Sequence, residues 1–558
     1  MKRTWLIMAF LASFGMVSAQ EEDTTTVERQ INIEKEYTPE IKNVKRKDIE
    51  YKIEETSVKP SNLTYSNYAL PINPQTPFSP LAPEKQSVVK LKAAKTGYAD
   101  LGLGFNMNWR AEGYYKILNT ESNFLDVHLK HFGIYTGKND PKAYIRTGIN
   151  FDYKHTISSG HQIDANILYR NQYYSYYGKD DLKWDTLKAL NYQKFQSRHT
   201  LNMSVGAHST KSIKDWDYKA DLGYRMDDLQ YEDMTELYIF GGVTGYKTFG
   251  KHQIELKVRS EGYIYNSIGN ILDNSNNAFV EVSPYYNLNM PLLDLRVGAR
   301  MVMACVRGGV FNAMPDVTAT LHPHKMIRLT LAAVGDYRCN SVANVMDINP
   351  YFIFNDTLKN TYTPADFRLG LTVTPIRDLS LNARVQYAII NNEVNFSNKR
   401  EIYKPEAPVT RYFISDFVNV NHLQIGLNAR YVFKERYSFM ADFAWNKWFT
   451  RGDGEIFYKP ECELHLGMEF MPIDNLRLDV NYYLATGRRY FDAKNLNIDD
   501  LNDINDLNIG ASYLIKKLVT VYVRANNILG SIDKVKWQNW NGYDNIGFNM
   551  TFGAKIIF

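Results

Sequence analysis

Apolar and polar side chains alternate with a period of two along most of the chain between Gly97 and Phe558. The first stripe, over residues 99–107, places Ala, Leu, Leu, Phe and Met on one side and Asp, Gly, Gly and Asn on the other. Further stripes run through residues 125–130, 145–153, 379–387, 423–431 and 476–482. Because successive side chains point to opposite faces of a strand, each stripe predicts a strand with one apolar and one polar face. Stripes of about ten residues match tilted strands that cross a hydrocarbon layer.

The connections between stripes alternate between short and long. Tight turns are predicted at 158–161, 249–251, 322–325, 375–378, 434–436, 472–475 and 516–517. Long polar and aromatic loops are predicted around 173–195, 262–277, 338–365, 390–420, 447–460, 485–505 and 530–545. Short turns at one end and long loops at the other are typical of outer-membrane barrels. The fold class is therefore all-β: a transmembrane antiparallel β-barrel over residues 97–558 with about 22 strands, or 20 if weak stripes near 276–321 merge.

The final strand carries its own signal. Its apolar face ends on an aromatic residue at the C terminus, and its other face is mostly polar. The apolar positions are Phe548, Met550, Phe552, Ile556 and Phe558. This pattern resembles the closing strand and assembly signal of bacterial outer-membrane barrels, and it implies contact with the barrel-assembly machinery during biogenesis.

The N terminus predicts export. A basic start at residues 1–3 precedes a largely apolar stretch over 4–15 and small residues at 17–19, which is the pattern of a secretory signal peptide cleaved after Ala19. Residues 20–96 are polar and charged, with six prolines between 60 and 83. Proline fixes φ and removes a donor, so this stretch is predicted to be an irregular periplasmic arm. It could partly fill the lumen or contact a periplasmic partner.

The amino-acid composition of the chain excludes several classes of protein and of binding site. After the leader no apolar run has the length of a spanning helix. A mean hydropathy of −0.39 is compatible with a barrel, because only alternate residues face lipid. A net charge of +4 over 558 residues gives no reason to expect nucleic-acid binding. Three scattered cysteines are too few for a disulfide framework or a zinc site; a Cys305–Cys339 bridge is the alternative to unpaired packing roles.

The polar faces are rich in arginine. The residues predicted to line the lumen are Arg146, Arg170, Arg259, Arg296, Arg300, Arg384, Arg430 and Arg477. Charges paired across neighbouring strands would stiffen the wall of a large hydrated barrel, which is the main interpretation. The sharper alternative is a path that favours anions, because basic rings select anions.

No catalytic constellation is recognisable, so no enzyme activity and no cofactor are predicted. His322 and His324 resemble a metal pair, but a turn role is favoured. Residues 495–506 offer oxygen ligands without the central Gly and final Glu of a calcium loop, which favours a solvated outer loop. The tripeptide at 451–453 matches a cell-adhesion motif at a length where chance matches are common.

The segment 521–529, with the Asn-Ile pair at its end, a long loop and the closing strand, resembles the end of TonB-dependent outer-membrane transporters. The segment 31–41, followed by the proline-rich arm, is similar to a subgroup of TonB-dependent-receptor-like barrels. The resemblance implies transport or passive diffusion of an unidentified solute across the outer membrane of a diderm bacterium, with lipid around the barrel. The alternative is a scaffold that docks a lipoprotein or other envelope protein, or displays surface loops. Residues 20–96 are too short and irregular for that family's plug, and nothing near Gln20 resembles a TonB-contacting box, so plug-gated import and contact with TonB do not follow.

Overall fold

A computed structural model gives the fold of the chain. It describes residues 95–105, 107–136, 142–157, 159–178, 194–211, 215–230, 234–267, 277–305, 309–354, 358–399, 409–492, 496–531 and 536–558. The predicted signal peptide and all of the predicted arm except Lys95 and Thr96 lie outside these residues.

Strands make up almost all of the regular structure. In chain order they are β1 Gly97–Gly104, β2 Asn108–Asn119, β3 Asn123–Thr136, β4 Lys142–Ile157, β5 His161–Ser175, β6 Phe195–Ser209, β7 Trp216–Leu229, β8 Met234–Phe249, β9 His252–Ser267, β10 Asn277–Asn289, β11 Leu293–Ala304, β12 Val310–His324, β13 Ile327–Arg338, β14 Thr361–Ile376, β15 Leu379–Lys399, β16 Val409–Phe433, β17 Tyr437–Thr450, β18 Cys462–Ile473, β19 Leu476–Thr486, β20 Arg488–Asp492, β21 Asn497–Leu501, β22 Ile504–Ile515, β23 Val519–Asn526, β24 Gln538–Trp540, β25 Tyr543–Asp544 and β26 Asn549–Ile557. Among the described residues one α-helix, α1, covers Val342–Ile348, and a 3₁₀ turn covers Leu529–Ser531.

Twenty-two of these strands form one closed antiparallel sheet, which confirms the predicted barrel and its strand count. Each strand of the ring pairs with the next ring strand along the chain, β19 with β22 and β23 with β26 across the separate β20–β21 and β24–β25 hairpins. Strand β1 pairs with β26 to close the ring. The closing register sets Gly102 opposite Gly553. At the seam Gly97 and Phe558 exchange two backbone hydrogen bonds of 2.9 and 3.0 Å, and the Tyr522 hydroxyl donates to Asp100 at 2.6 Å.

The two faces of the sheet differ as the stripes predict. Outward apolar side chains stay exposed because no protein covers them, as with Leu103 at 72% and Phe552 at 51%. The inward face carries polar and charged groups that bond to one another. A closed sheet leaves no unpaired edge, so it can present an apolar exterior to lipid and a polar interior to water.

The two ends of the barrel differ in their connections, and they are called here the turn end and the loop end. At the turn end β16 and β17 are separated by residues 434–436, and β22 and β23 by residues 516–518, as predicted. At the loop end the predicted long polar and aromatic loops contain regular structure that the sequence did not indicate. Residues 390–420 largely continue β15 and β16 beyond the ring, 485–505 contains the β20–β21 hairpin, 530–545 contains β24 and β25, and α1 lies within 338–365. In the described part of the chain no helix is long and apolar enough to span a membrane.

Removing Phe558 is expected to lower severalfold the amount of folded barrel in outer-membrane fractions, measured by heat-modifiable migration on gels. The deletion removes both backbone bonds to Gly97 and an outward ring that lies 6.3 Å from the ring of Tyr115. The control is Phe433→Ala, which removes another outward aromatic at the turn end, 41% exposed. An equal loss in both variants would show that Phe558 acts only as an interfacial aromatic.

Candidate functional site: a capped, arginine-lined lumen

An aromatic cluster lies across the loop end of the barrel. Four of its aromatic members, Tyr176, Phe352, Tyr412 and Phe413, have no exposed surface. The cluster is called the cap and comprises Tyr174, Tyr176, Leu229, Met234, Val342, Val345, Met346, Tyr351, Phe352, Ile353, Val394, Phe396, Tyr412, Phe413, Trp540 and Tyr543. Loops and strand ends from several parts of the chain therefore bury one shared apolar core, which is the dominant favourable term in such packing.

The cap joins opposite walls of the barrel. Tyr176 follows β5 and Tyr412 lies in β16, which are the fifth and sixteenth strands of the ring of 22. Their rings are nevertheless only 4.7 Å apart. Tyr351, from the loop after β13, stacks on Tyr543 at 3.6 Å between ring centres. Because strands half a ring apart meet only if their extensions fold inward, the loops reach across the mouth.

Backbone hydrogen bonds attach the inner loop to the wall. Ile353 donates its backbone N–H to Phe413 at 2.8 Å, and Phe413 donates to Tyr351 at 3.0 Å. On the other side of the mouth, the Lys142 ammonium donates to the carbonyls of Asp544 and Asn545 at 3.1 Å each. The cap is thus held by directional bonds as well as by apolar contact.

Helix α1 is fixed to strands β6–β8. Ser341 caps its N terminus by accepting from the backbone N–H of Asn344 at 3.2 Å. The Glu236 carboxylate, fully buried, accepts from the backbone N–H of Ala343 at 3.0 Å, where the helix dipole favours negative charge. At the other end of α1, Asp347 lies 2.7 Å from Arg198.

A buried charge network supports this anchor. Asp227, with no exposed surface, lies 2.9 Å from Arg198 and 2.7 Å from Arg225, and it accepts from Thr200 at 2.6 Å. Arg225 also reaches Glu236 at 3.4 Å. Strands β6, β7 and β8 are therefore linked to α1 through a charge network whose centre, Asp227 and Arg198, is buried, whereas Asp347 of α1 is half exposed.

All eight arginines predicted to line the lumen lie on barrel strands, and the structure divides them into two groups. Five lie at ion-pair distance from carboxylates: Arg259 and Arg300 to Glu281 at 3.0 and 2.8 Å, Arg296 to Glu255 at 3.4 Å, Arg384 to Asp442 at 3.6 Å, and Arg477 to Glu469. Among the described residues Arg146, Arg170 and Arg430 have no carboxylate at that distance. The sequence alone does not show which arginines have a carboxylate nearby, because the register between neighbouring strands decides which side chains lie next to each other.

Two clefts open in the lumen wall beneath α1, and both include Arg225 and Tyr238. One has a volume of about 260 Å³ and is lined by Arg225, Tyr238, Arg259, Glu261, Tyr263, Asp336, Tyr337, Arg338, Cys339 and Asn344. The other has a volume of about 350 Å³ and is lined by Leu168, Arg170, Thr200, Asn202, Arg225, Tyr238, Phe240 and Asp347. The capped lumen therefore contains built recesses with basic and aromatic walls.

Solved structures with this architecture come from bacterial outer-membrane receptors. The ferric enterobactin receptor PfeA of Pseudomonas aeruginosa, as a point variant, superposes with a TM-score of 0.63 at 10% identity, covering 84% of this chain and 81% of that one. The FrpB iron transporter of Neisseria meningitidis gives 0.63 at 9% identity, with 83% and 82% covered. The ferric-catecholate import receptor Fiu of E. coli K12 gives 0.60 at 10% identity, with 83% and 82% covered.

The chain has the fold of a TonB-dependent-receptor barrel. No protein-family model and no curated protein matches its sequence. The predicted resemblance to this class of barrel is confirmed at the level of the fold. The predicted lack of a plug concerns residues 20–96, nearly all of which lie outside the described residues.

Other motifs in this receptor-like barrel have structural partners. His322 lies 2.9 Å from Asp294, and the ring of His324 accepts from the backbone N–H of Met326 at 3.3 Å within the turn. Arg451, first residue of the 451–453 tripeptide, donates to the Ile390 carbonyl at 2.9 Å. All three cysteines are unpaired. Within the described residues no group of His, Cys, Asp and Glu is placed to hold a metal ion.

Proposed function

We propose that the protein transports a solute across the outer membrane through its lumen, with the cap acting as the gate at the outer mouth. The observation that carries the proposal is the contact between Tyr176 and Tyr412 across the ring. A closure that spans the mouth controls access to whatever lies below, and below it the wall is polar and charged. Because the cap is assembled from loops, α1 and the outer ends of barrel strands, it can open while the strand pairing below it stays intact.

The loop end is assigned to the cell exterior and the turn end to the periplasm, as in outer-membrane barrels with long outer loops. The described chain begins at the turn end, where the Lys95 ammonium donates to the carbonyl of Lys517 at 3.1 Å. Cleavage after Ala19 would then leave residues 20–96 as a periplasmic arm that enters the lumen or contacts a lipoprotein or other envelope partner. Lipid surrounds the barrel, and the barrel-assembly machinery inserts it.

Conductance in planar bilayers tests the proposal. The mature chain is compared with a chain lacking residues 20–96, each with the native cap and with the cap weakened by Tyr176→Ala and Tyr412→Ala. Transport predicts brief openings with the native cap and persistent openings when the cap is weakened. Removing residues 20–96 is expected to raise the current further if the arm enters the lumen. A barrel that stays sealed in all four forms would contradict transport.

A scaffold role is the second candidate, and one observation favours it. The Arg488 guanidinium, buried under the outer loops, donates to the carbonyls of Gln538 at 2.7 Å and Asn502 at 2.5 Å. Burial lowers the pKa of Arg488 to about 10, so it stays charged at neutral pH. It holds the β20–β21 hairpin firmly, as a docking surface for another envelope protein requires. A sealed barrel that copurifies with such a protein would support this role instead.

A further inference from the structure

The larger cleft brings arginine side chains together with apolar and aromatic ones. Leu168, Tyr238 and Phe240 line it together with Arg170 and Arg225. The Arg225 guanidinium lies over the Tyr238 ring at 5.3 Å. Guanidinium groups and aromatic faces together recognise molecules that have both a negative group and a flat apolar body.

The arginines around this cleft differ in whether a carboxylate lies close to them. Arg198 and Arg225 are both engaged by Asp227, and Arg198 also by Asp347. Arg170 has no carboxylate at ion-pair distance among the described residues. Its like-charged neighbours are Arg146 and Arg198, and it feels Asp347 and Asp227 only at longer range.

Arg170 also has unused hydrogen-bonding capacity. Its Nε is buried and has no partner within the described part of the chain. A buried donor without an acceptor is destabilising, so an anion that accepts a hydrogen bond from Arg170 would recover part of that cost. Asn202 and Thr200 also line the cleft, and the Thr200 hydroxyl donates to Asp227 at 2.6 Å.

We propose that this cleft binds a small amphipathic anion, with its carboxylate or sulfonate on Arg170 and its apolar body against Leu168, Tyr238 and Phe240. This inference rests on the proposed transport function and names the class of solute. A volume of about 350 Å³ is near the lower end for small-molecule sites, which suits a ligand of one or two rings. A planar guanidinium binds such a group through two parallel hydrogen bonds.

Calorimetric binding to the full mature chain in lipid nanodiscs tests this directly, with 1-naphthoate as the probe and empty nanodiscs as the blank. Arg170→Gln is expected to weaken naphthoate binding at least tenfold, and Phe240→Ala severalfold. Arg328→Gln is the matched control. Arg328 also has a buried Nε without a partner among the described residues, but it lies on β13, away from the cleft, so its loss should leave the affinity unchanged.

Two further probes test whether the bound ligand must carry a negative charge and an apolar body. The isosteric cation 1-naphthylmethylammonium is expected not to bind, and inorganic phosphate is expected to bind far more weakly than naphthoate. Unchanged naphthoate affinity in Arg170→Gln, or equal binding of the cation, would overturn the proposal. Equal binding of phosphate would overturn its amphipathic part. Binding does not require passage through the lumen, so a sealed barrel that still binds naphthoate would contradict transport alone.

Discussion

Replacing Tyr176 and Tyr412 together by alanine is expected to convert a mostly closed barrel into one with persistent current, with at least a severalfold rise in mean conductance. The two rings are fully buried and 4.7 Å apart, and they form a direct link between strands on opposite walls. Truncating a buried aromatic typically costs about 3–5 kcal/mol. Two losses of that size are expected to exceed the free energy that holds the cap closed. The mouth should therefore open while the strands of the barrel below it remain paired.

The matched control is Tyr135→Ala together with Tyr387→Ala. These tyrosines lie on the outward face, 36% and 37% exposed, and have no place in the cap. Single-channel recordings of both double variants, with folding checked by heat-modifiable migration, separate a cap effect from a general effect of lost tyrosines. Current that rises equally in both, or in neither, would contradict the gate.

Asp227→Asn is expected to lower the free energy of unfolding by about 3–5 kcal/mol, the range seen when one partner of a buried ion pair is removed. The Asp227 carboxylate is fully buried between Arg198 and Arg225, so its neutralisation leaves two guanidinium groups with less compensation. Arg198 also holds Asp347 of α1 at 2.7 Å. The same variant should therefore raise conductance, because the anchor of the cap helix is disturbed.

Denaturant titration in lipid vesicles measures the first effect, and bilayer recordings measure the second. Asp474→Asn is the control because Asp474 pairs with Arg436 at 2.5 Å at the turn end, where the two side chains are 80% and 49% exposed. An exposed pair contributes about 0–1 kcal/mol, so this variant should remain close to the wild type. Similar unfolding energies for both variants would show that burial of Asp227 contributes little.

The outcome for the arginines shows how far pattern reasoning reaches. Period two places Arg300 and Arg170 on the same face as their polar neighbours. It cannot tell that Arg300 meets Glu281 at 2.8 Å and Asp336 at 2.9 Å whereas Arg170 meets no carboxylate among the described residues. That difference depends on which residue lies opposite on the next strand. The register between two strands cannot be derived from the alternation within either strand alone.

The cap shows the other limit. The sequence predicts polar and aromatic loops around Tyr176, Tyr351 and Trp540, and in the structure these segments do connect strands of the ring. The N-cap Ser341 before an apolar run was the available signal for α1, but a helix of seven residues is too short to have a reliable period of its own. Contacts such as Tyr351 on Tyr543 join positions almost two hundred residues apart, and no local pattern specifies them.

The sequence by itself determined that the chain forms a barrel of about 22 strands with two unlike faces, because a strand that separates lipid from water must alternate along its length. The short turns and long loops are a second signal in the sequence, independent of the alternation. Only the tertiary structure decided what the loops and the charges do. Side chains that meet across the mouth or across a register are brought together by closure of the ring, so their chemistry exists in the folded barrel and not in any segment of the chain.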